Sequence, residues 1–352
     1  MKDNSISDGY RTCPVPVSSY KKVLLGHGSG GKLTNDLISS VFMRIFDSPE
    51  LDTRHDGAVM SLGGEKIAMT TDSYVVTPLF FPGGDIGSLA VHGTVNDLAM
   101  CGARARFMTA GFIIEEGLDM EVLEKVAASM KRSCDEAGVR IVAGDTKVVE
   151  KGKGDGLFIN TSGVGTLMSD EPLLPSGIKE GDAIVISGDV GRHGIAIMSA
   201  REGLALKTSL ESDSALLSGM VEDLISEGVN VHCLRDLTRG GLASALIELS
   251  SVSGTGMRID EAYIPVSEEV KGVCEILGLD PLQVANEGRF ICFVPAGEAE
   301  KTIKILSRHN AGRNACRIGH VDGRTSGVYM RNLVGTIRKI DMLTGEQLPR
   351  IC

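Results

Sequence analysis

The sequence lacks several features that would define common classes of protein. It contains no tryptophan, and aromatic residues make up only 4% of its 352 positions. No apolar run is long enough to cross a bilayer, and the polar segment 1–20 lacks the apolar core of a signal peptide. The formal net charge of −10 argues against non-specific nucleic-acid binding, which requires a basic field. We therefore expect no membrane and no nucleic-acid partner.

Cysteine is present, but never as a C-x-x-C pair. The eight cysteines lie at positions 13, 101, 134, 233, 274, 292, 316 and 352. This spacing excludes a zinc ribbon, and without a secretion signal it indicates reduced thiols in the cytoplasm. The histidines at 92, 193 and 232 also lack a second His or Cys at metal-ligand spacing. We therefore predict a cytoplasmic protein without a zinc site.

Length and pattern together predict two α/β domains. A chain of 352 residues exceeds one ordinary core, and strand-like runs alternate with helical periodicity. Lys66–Tyr74 is typical of a strand, and Asp119 is a plausible cap for a helix that ends at Gly138. The predicted organisation is an N-terminal extension (1–21), a first domain (22–167), a second domain (168–337) and a flexible tail (338–352).

A glycine-rich segment, Gly26–Lys32, precedes the first predicted helix. It meets the P-loop pattern G-x-x-x-x-G-K, but Leu33 occupies the position of the metal-binding hydroxyl. Thr34 comes one residue late, so on a helix its hydroxyl points about 100° away. We interpret the segment as a phosphate-covering loop with Lys32 as counter-charge. A plain glycine-rich turn remains the alternative.

Four aspartates stand beside apolar segments of the first half. They are Asp56, Asp72, Asp97 and Asp145. Read singly, each is more typical of a cap or a turn. Read together, they predict a cleft in which the carboxylates repel one another unless cations lie between them. Mg²⁺ with a nucleoside triphosphate is the usual oxygen-seeking partner of such a group.

The sequence ends in Pro349-Arg-Ile-Cys352, which places a nucleophilic sulfur at a chain end. Proline disfavours a helix in this segment, and a terminus is poorly ordered unless it is tied down. We therefore expect the tail to reach outward. By itself, an isolated cysteine is more often a small hydrophobic residue than a reactive one.

Seven short segments occur in a characteristic order: GSGGK, TTDS, NDLAMCGA, AGDTKV, GDVGRHGI, RDLTRGGLA and NEGR. In combination they resemble the ATP-binding superfamily of aminoimidazole ribonucleotide synthetase, selenophosphate synthetase and thiamine-monophosphate kinase. RDLTRGGLA and the final PRIC are most similar to its hydrogenase-maturation branch, the HypE carbamoyl dehydratases. The resemblance implies a PurM-like α/β (α+β) fold, with an N-terminal sheet domain that dimerises and a C-terminal mixed-sheet domain covered by helices. ATP and Mg²⁺ would occupy the cleft between the domains.

The resemblance also implies the residues of that cleft. The four aspartates named above would be metal or phosphate ligands, and Asp236 would be contributed by the second domain. The nucleotide site would be lined by Thr71, Asn96, Gly144 and Thr146. Lys32 or Lys147 would hold the charge that develops on the phosphate.

The chemistry implied by the resemblance centres on Cys352. A carbamoyl group placed on this cysteine by the carbamoyltransferase HypF is dehydrated to a thiocyanate, and the cyanide passes to iron on a complex of HypC and HypD. Since oxide is a poor leaving group, ATP must first phosphorylate the carbamoyl oxygen. We predict Glu287, which lies before a buried strand, as the base that removes the nitrogen proton, and Lys147 as its electrostatic partner.

Two other functions remain open at the level of sequence. An ATP-dependent kinase or synthetase for a small metabolite would use the same nucleotide site and would make Cys352 irrelevant. A binding protein that only relays a modified thiol between partners would need no nucleotide.

Overall fold

The computed structural model describes residues 21–201, 210–343 and 351–352. The predicted N-terminal extension, 1–21, lies outside the described residues except for Lys21. Within the described ranges, strands and helices alternate along the chain as expected for an α/β protein. None of the helices there combines the length and the hydrophobicity that a bilayer span requires.

Within its described residues, the first half of the chain forms a five-stranded sheet, a separate two-stranded sheet and five α-helices. Its strands are β1 (Ala58–Leu62), β2 (Glu65–Tyr74), β3 (Phe80–Phe81), β4 (Gly84–Asp85), β5 (Ala103–Glu115), β6 (Arg140–Val149) and β7 (Leu157–Leu167). Its helices are α1 (Lys32–Leu37), α2 (Arg44–Phe46), α3 (Pro49–Asp52), α4 (Ile86–Met100) and α5 (Met120–Ala137). The large sheet has the order β1-β2-β7-β5-β6, in which only β5 and β6 are parallel.

The second half forms a mixed seven-stranded sheet. Its strands are β8 (Asp182–Ile186), β9 (Cys233–Asp236), β10 (Gly256–Asp260), β11 (Phe290–Pro295), β12 (Cys316–Asp322), β13 (Gly327–Arg331) and β14 (Ile337–Ile340). Its helices are α6 (Arg192–Ala200), α7 (Ser218–Ser226), α8 (Gly241–Ser253), α9 (Glu268–Leu277) and α10 (Ala299–Leu306). The sheet order is β14-β13-β10-β12-β8-β11-β9. The predicted mixed sheet of the second domain is therefore confirmed.

Helix α4 joins the two halves of the molecule. It packs against β2, β5 and β7 of the first sheet and against β9 and α7 of the second half. Nearly all of its side chains are buried, which explains why apolar residues occupy all sides of this helix instead of one stripe. Its polar residues therefore face protein rather than solvent, and Asp97 is delivered to the region between the domains.

Contacts and strand pairing cross two of the predicted domain boundaries. The segment 32–46, assigned to the first domain, contacts the second: Asn35 Nδ2 donates to Glu248 Oε1 at 3.1 Å. The Lys32 N–H donates to the Leu343 carbonyl at 2.8 Å. Strand β14 continues to Ile340, past the predicted start of the tail at residue 338, because it pairs with β13.

Candidate active site

A cavity of about 220 Å³ lies between the two domains. The end of β2, helix α4, the end of β9, the turn before α8 and the loop before β11 all contribute to its wall. Its lining residues are Asp56, Thr71, Asp72, Ser73, Tyr74, Asp97, Asp236, Thr238, Arg239, Glu287 and Cys352. The structure thus brings together three of the four predicted aspartates with Asp236, Glu287 and Cys352.

Neighbouring hydroxyl groups orient the carboxylates of the cavity. Thr70 Oγ1 donates to Asp97 Oδ2 at 2.7 Å, and Tyr74 Oη donates to Asp72 Oδ2 at 2.9 Å. Gly93 of α4 makes room for this tyrosine, since a Cβ at residue 93 would lie 2.2 Å from Tyr74 Oη. Because β2 and α4 are rigid elements, the two carboxylates have fixed positions.

The electrostatics of the cavity favour a cation. Burial raises the pKa of Asp97, Asp236 and Glu287 well above the ordinary carboxyl value, and repulsion from neighbouring carboxylates raises it further. Burial also raises the pKa of Asp56 to about 6. A bound cation would lower all of these pKa values, because it stabilises the ionised carboxylates.

Two arginines of the RDLTRGG segment have different positions. Arg235 is half-buried and pairs through Nε with Asp56 Oδ1 at 2.8 Å, and it also pairs with Glu248. Arg239 lines the cavity, with its Nη2 4.0 Å from Asp72 Oδ1 and its side chain 47% exposed. Arg239 was not among the site residues predicted from sequence, although its place three residues after Asp236 in the same segment was a usable signal.

The last residue of the chain lines the cavity, and the residue before it packs into the core. The Val75 N–H donates to the main-chain oxygen of Cys352 at 3.0 Å, and Ile351 is only 4% exposed. Burial raises the pKa of the Cys352 thiol to about 12. Our prediction of an outward tail is therefore wrong for Ile351 and Cys352, because backbone hydrogen bonds and an apolar side chain hold them inside. Residues 344–350 lie outside the described part of the chain.

Strand β6 does not reach the cavity of its own chain. Asp145 and Lys147 are exposed on this strand and pair with each other at 2.6 Å. In register across the sheet, Asp145 opposes Gly111, Gly111 opposes Asn160, and Asn160 opposes Ser73. Three strand spacings, about 14 Å, therefore separate Asp145 from the end of β2. The same strand carries the predicted nucleotide residues Gly144 and Thr146.

Asn96 and Lys32 also lie away from the lining of the cavity. Asn96 is buried: Nδ2 donates to the Ala215 carbonyl at 2.9 Å, and Oδ1 accepts from the Leu217 N–H at 2.8 Å. These bonds fix the loop before α7 to α4, and the assignment of Asn96 to the nucleotide site stays a prediction. Lys32 is exposed at the first residue of α1.

The donor set of the cavity is suited to a hard cation that brings further ligands. Among the described residues, no three or more His, Cys, Asp or Glu side chains are arranged so that they could hold a metal ion by themselves. Mg²⁺ is commonly bound by one or two carboxylates together with phosphate oxygens and water. The Oδ2 atom of Asp56 is buried without a hydrogen-bond partner, which leaves one such oxygen available.

Comparison with known proteins defines first the class and then the family. The family described as AIR synthase related protein, N-terminal domain, matches residues 54–167, and its C-terminal counterpart matches residues 179–331. The protein is thus of the two-domain AIR synthase related class, with the PurM-like fold.

Within this class, the chain belongs to the carbamoyl dehydratase HypE family. It is 49% identical to carbamoyl dehydratase HypE of Cupriavidus necator over 347 residues, 98% of each chain. The corresponding protein of Escherichia coli is 43% identical over 335 residues, which cover 94% of this chain and 99% of that protein.

Solved structures agree with this assignment. A HypE crystal structure in complex with ATP has a TM-score of 0.79 at 48% identity and covers 94% of this chain and 100% of that chain. The HypE chain of a HypE-HypF complex has a TM-score of 0.83 at 48% identity. The match covers 87% of this chain and 99% of that chain. Thiamine monophosphate kinase of Aquifex aeolicus, at 18% identity and a TM-score of 0.65, shares the fold alone.

Proposed function

We propose that the protein catalyses the ATP-dependent dehydration of an S-carbamoyl group on its own Cys352. The product is a protein-bound thiocyanate that supplies cyanide for the iron of NiFe hydrogenase. The observation that supports this most directly is the position of Cys352, whose side chain lines the carboxylate cavity between the domains. Membership of the carbamoyl dehydratase family and the ATP complex of a relative support the reaction type and the nucleotide.

The reaction needs one activation step and one elimination step. The carbamoyl oxygen attacks the γ-phosphorus of ATP, the bond to the bridging oxygen of ADP breaks, and an O-phosphorylated intermediate forms. Loss of both nitrogen protons and departure of phosphate then leave a carbon–nitrogen triple bond on the carbon attached to the sulfur. Carbamoyl cysteine and ATP are thereby converted to thiocyanate, ADP, phosphate and a proton.

Glu287 is our proposed base for the elimination. It is buried and lines the same cavity as Cys352. Burial raises its pKa well above the ordinary value, so that the free cavity favours its protonated form, whereas the positive charge of Arg239 lowers the pKa. Further positive charge beside the carboxylates would favour the ionised form that can accept a proton.

Mg²⁺ is proposed to accompany the nucleotide. Asp56, Asp72 and Asp97 would supply carboxylate oxygens, and when bound the ion would neutralise charge on the phosphates. Thr71, at the rim of the cavity, and Lys32, which is exposed and free to approach, are proposed contacts of the nucleotide.

A homodimer would complete this site. Strand β6 pairs only with β5 among the described strands, so its outer edge presents free backbone groups. Val142 and Val148 on this strand are 57% and 67% exposed. We propose that a second copy of the chain covers this edge. Asp145 and Lys147, too far from the cavity of their own protomer, would then serve the cavity of the partner, together with Gly144 and Thr146.

The proposed partners follow from the family. A relative was crystallised with HypF, which supports HypF as the carbamoyl donor for Cys352. Delivery of cyanide to a HypC-HypD complex is proposed on the same basis. The seven described cysteines are all free thiols, which accords with our proposal of a cytoplasmic location.

The test is intact-mass spectrometry of the protein with HypF, carbamoyl phosphate and ATP. We expect a carbamoyl adduct on the peptide that contains Cys352, followed by loss of one water when ATP is present. Cys352→Ala should show neither change. ATP turnover by Cys352→Ala with a free small substrate would instead favour the metabolite kinase, although in this structure the acceptor position is already filled by the chain's own residue.

A further inference from the structure

A buried histidine contacts the end of the chain from the second domain. His193, in the first turn of α6, is 0% exposed, and its Nε2 lies 2.5 Å from the Ile351 carbonyl oxygen. Its Nδ1 lies 2.8 Å from Ser212 Oγ, and the Ser214 N–H donates to the same hydroxyl oxygen at 3.1 Å. Among the described contacts of His193, neither nitrogen is hydrogen-bonded to a carboxylate.

These contacts determine which nitrogen carries the proton. A carbonyl oxygen can only accept, so His193 Nε2 must donate to Ile351. Burial lowers the pKa of His193 and favours the neutral ring, in which Nδ1 is then an acceptor. The Ser212 hydroxyl therefore donates to Nδ1 while its oxygen accepts from the Ser214 N–H. The Ile351 carbonyl thus fixes the tautomer, and the serine satisfies its acceptor nitrogen.

The end of the chain is held at three points, and none involves the sulfur. The Ile351 side chain belongs to the hydrophobic core that also contains Ile195 and Val270. The Ile351 carbonyl accepts from His193, and the main-chain oxygen of Cys352 accepts from the Val75 N–H. These three contacts use main-chain atoms and the Ile351 side chain, while the Cys352 side chain packs against the same core.

We propose that His193, oriented by Ser212, is a positioning residue that fixes the backbone of the tail and so places the group on Cys352. The same site selects a chain end with an aliphatic residue before the final cysteine. This inference rests on the proposed dehydration for its chemical meaning, whereas the seating of the tail can be measured without ATP.

The first experiment measures alkylation of Cys352 by iodoacetamide, followed by peptide mass spectrometry. His193→Gln keeps an amide nitrogen near the position of Nε2, whereas His193→Asn is too short to reach Ile351. We expect Cys352 in His193→Asn to react about five- to tenfold faster than in wild type, as expected for the loss of one hydrogen bond. His193→Gln should react at nearly the wild-type rate, and Ile351→Ala should also react faster.

The matched control is His92→Asn. His92 is a second histidine of the same region, but its Nδ1 contacts Ser214 Oγ at 3.0 Å instead of the tail. We expect its substitution to leave the alkylation rate of Cys352 unchanged. If His193→Asn does not fold, Ser212→Ala provides the same test, because it removes the donor to Nδ1, and we expect a smaller increase of about twofold. Equal alkylation rates in all folded variants would overturn the proposal.

A double-mutant cycle separates positioning from a purely structural role. We compare the melting temperature of His193→Asn with and without residues Ile351 and Cys352. The substitution should lower the melting temperature by less in the shortened chain, because the contact is already absent. An equal decrease in both would assign His193 to the core and refute the inference. Failure of carbamoylated wild type to lose water would refute the dehydration alone.

Discussion

Asp97 and Asp236 approach each other from different domains, one from the middle of α4 and the other from the end of β9. Burial, and then repulsion from neighbouring carboxylates, raises the pKa of both, and neither has a cationic partner in hydrogen-bond contact in the described structure. Arg235, whose charge lowers the pKa of Asp236, pairs instead with Asp56 and Glu248. The cavity therefore retains a carboxylate cluster that lowers stability, which is expected where a site must attract cations.

Replacing Asp97 by Asn should make the protein more stable and inactive. Because the folded pKa of Asp97 is raised, the native state keeps a proton that the unfolded chain loses above about pH 4. The free energy of unfolding of wild type therefore falls as the pH rises through this window. The side chain in Asp97→Asn does not ionise, so it lacks this pH-dependent loss. We therefore expect its free energy of unfolding to be similar to that of wild type at pH 4 and higher by about 1–3 kcal/mol at pH 8.

Urea unfolding of wild type and Asp97→Asn at pH 4, 6 and 8 measures this difference. Glu116→Gln, at an exposed turn outside the cavity, is the matched control and should not alter the pH dependence. A gain for Asp97→Asn that is the same at all three pH values would contradict the role of repulsion.

At the scale of elements, α4 shows how packing controls the site. Gly93→Ala would place a methyl carbon 2.2 Å from Tyr74 Oη, which holds Asp72. We expect a loss of about 1–3 kcal/mol in the free energy of unfolding and a decrease in activity.

At Gly272, in helix α9, no atom lies within 4 Å of the position that a Cβ would take, so Gly272→Ala should stabilise the protein by about 0.4–1 kcal/mol. Urea unfolding of both variants measures the contrast, and equal effects would contradict it.

Strand β6 is the second element on which the function depends. It runs from Arg140 to Val149 and pairs with β5 along this length, with one register shift between Met108 and Thr109 of β5. The residues predicted to face the cleft therefore lie along an exposed strand, away from the cavity of their own chain.

Lysine substitution at Val142 and Val148 tests this edge. Because charged side chains on an edge strand oppose pairing with another chain, we expect the double variant to be monomeric and inactive. Ile276→Lys, on α9 at 72% exposure, is the control and should remain dimeric. Sedimentation equilibrium measures the mass of each protein. A dimer that survives both valine substitutions would place the interface elsewhere.

At the scale of the whole molecule, a shared site predicts complementation between inactive variants. Asp97 lies in the cavity of its own protomer, whereas we propose that Lys147 acts in the partner. After mixing and subunit exchange, each heterodimer of Asp97→Asn and Lys147→Ala has one intact cavity. About a quarter of the wild-type dehydration activity should return. A mixture that stays inactive while heterodimers form would show that both residues act in one protomer.

The sequence by itself determined the local elements and the chemistry of the motifs. Strand β2 and helix α5 were predicted nearly to their ends, because alternating burial, helical periodicity and a terminal glycine are local signals. The order of the short motifs identified the family and indicated the carboxylates and Cys352, since residue type and spacing along the chain are sufficient for that.

Only the tertiary structure decided which of these residues meet. Strand order placed Asp145 three strand spacings from the end of β2, and packing of α4 bonded the amide of Asn96 to the backbone of Ala215 and Leu217. Ile351 and Cys352 lie inside because His193 and Val75, remote from them in sequence, satisfy their main-chain oxygens. Pairing and packing between distant segments leave no signal in a local pattern, because their energy depends on both partners at once.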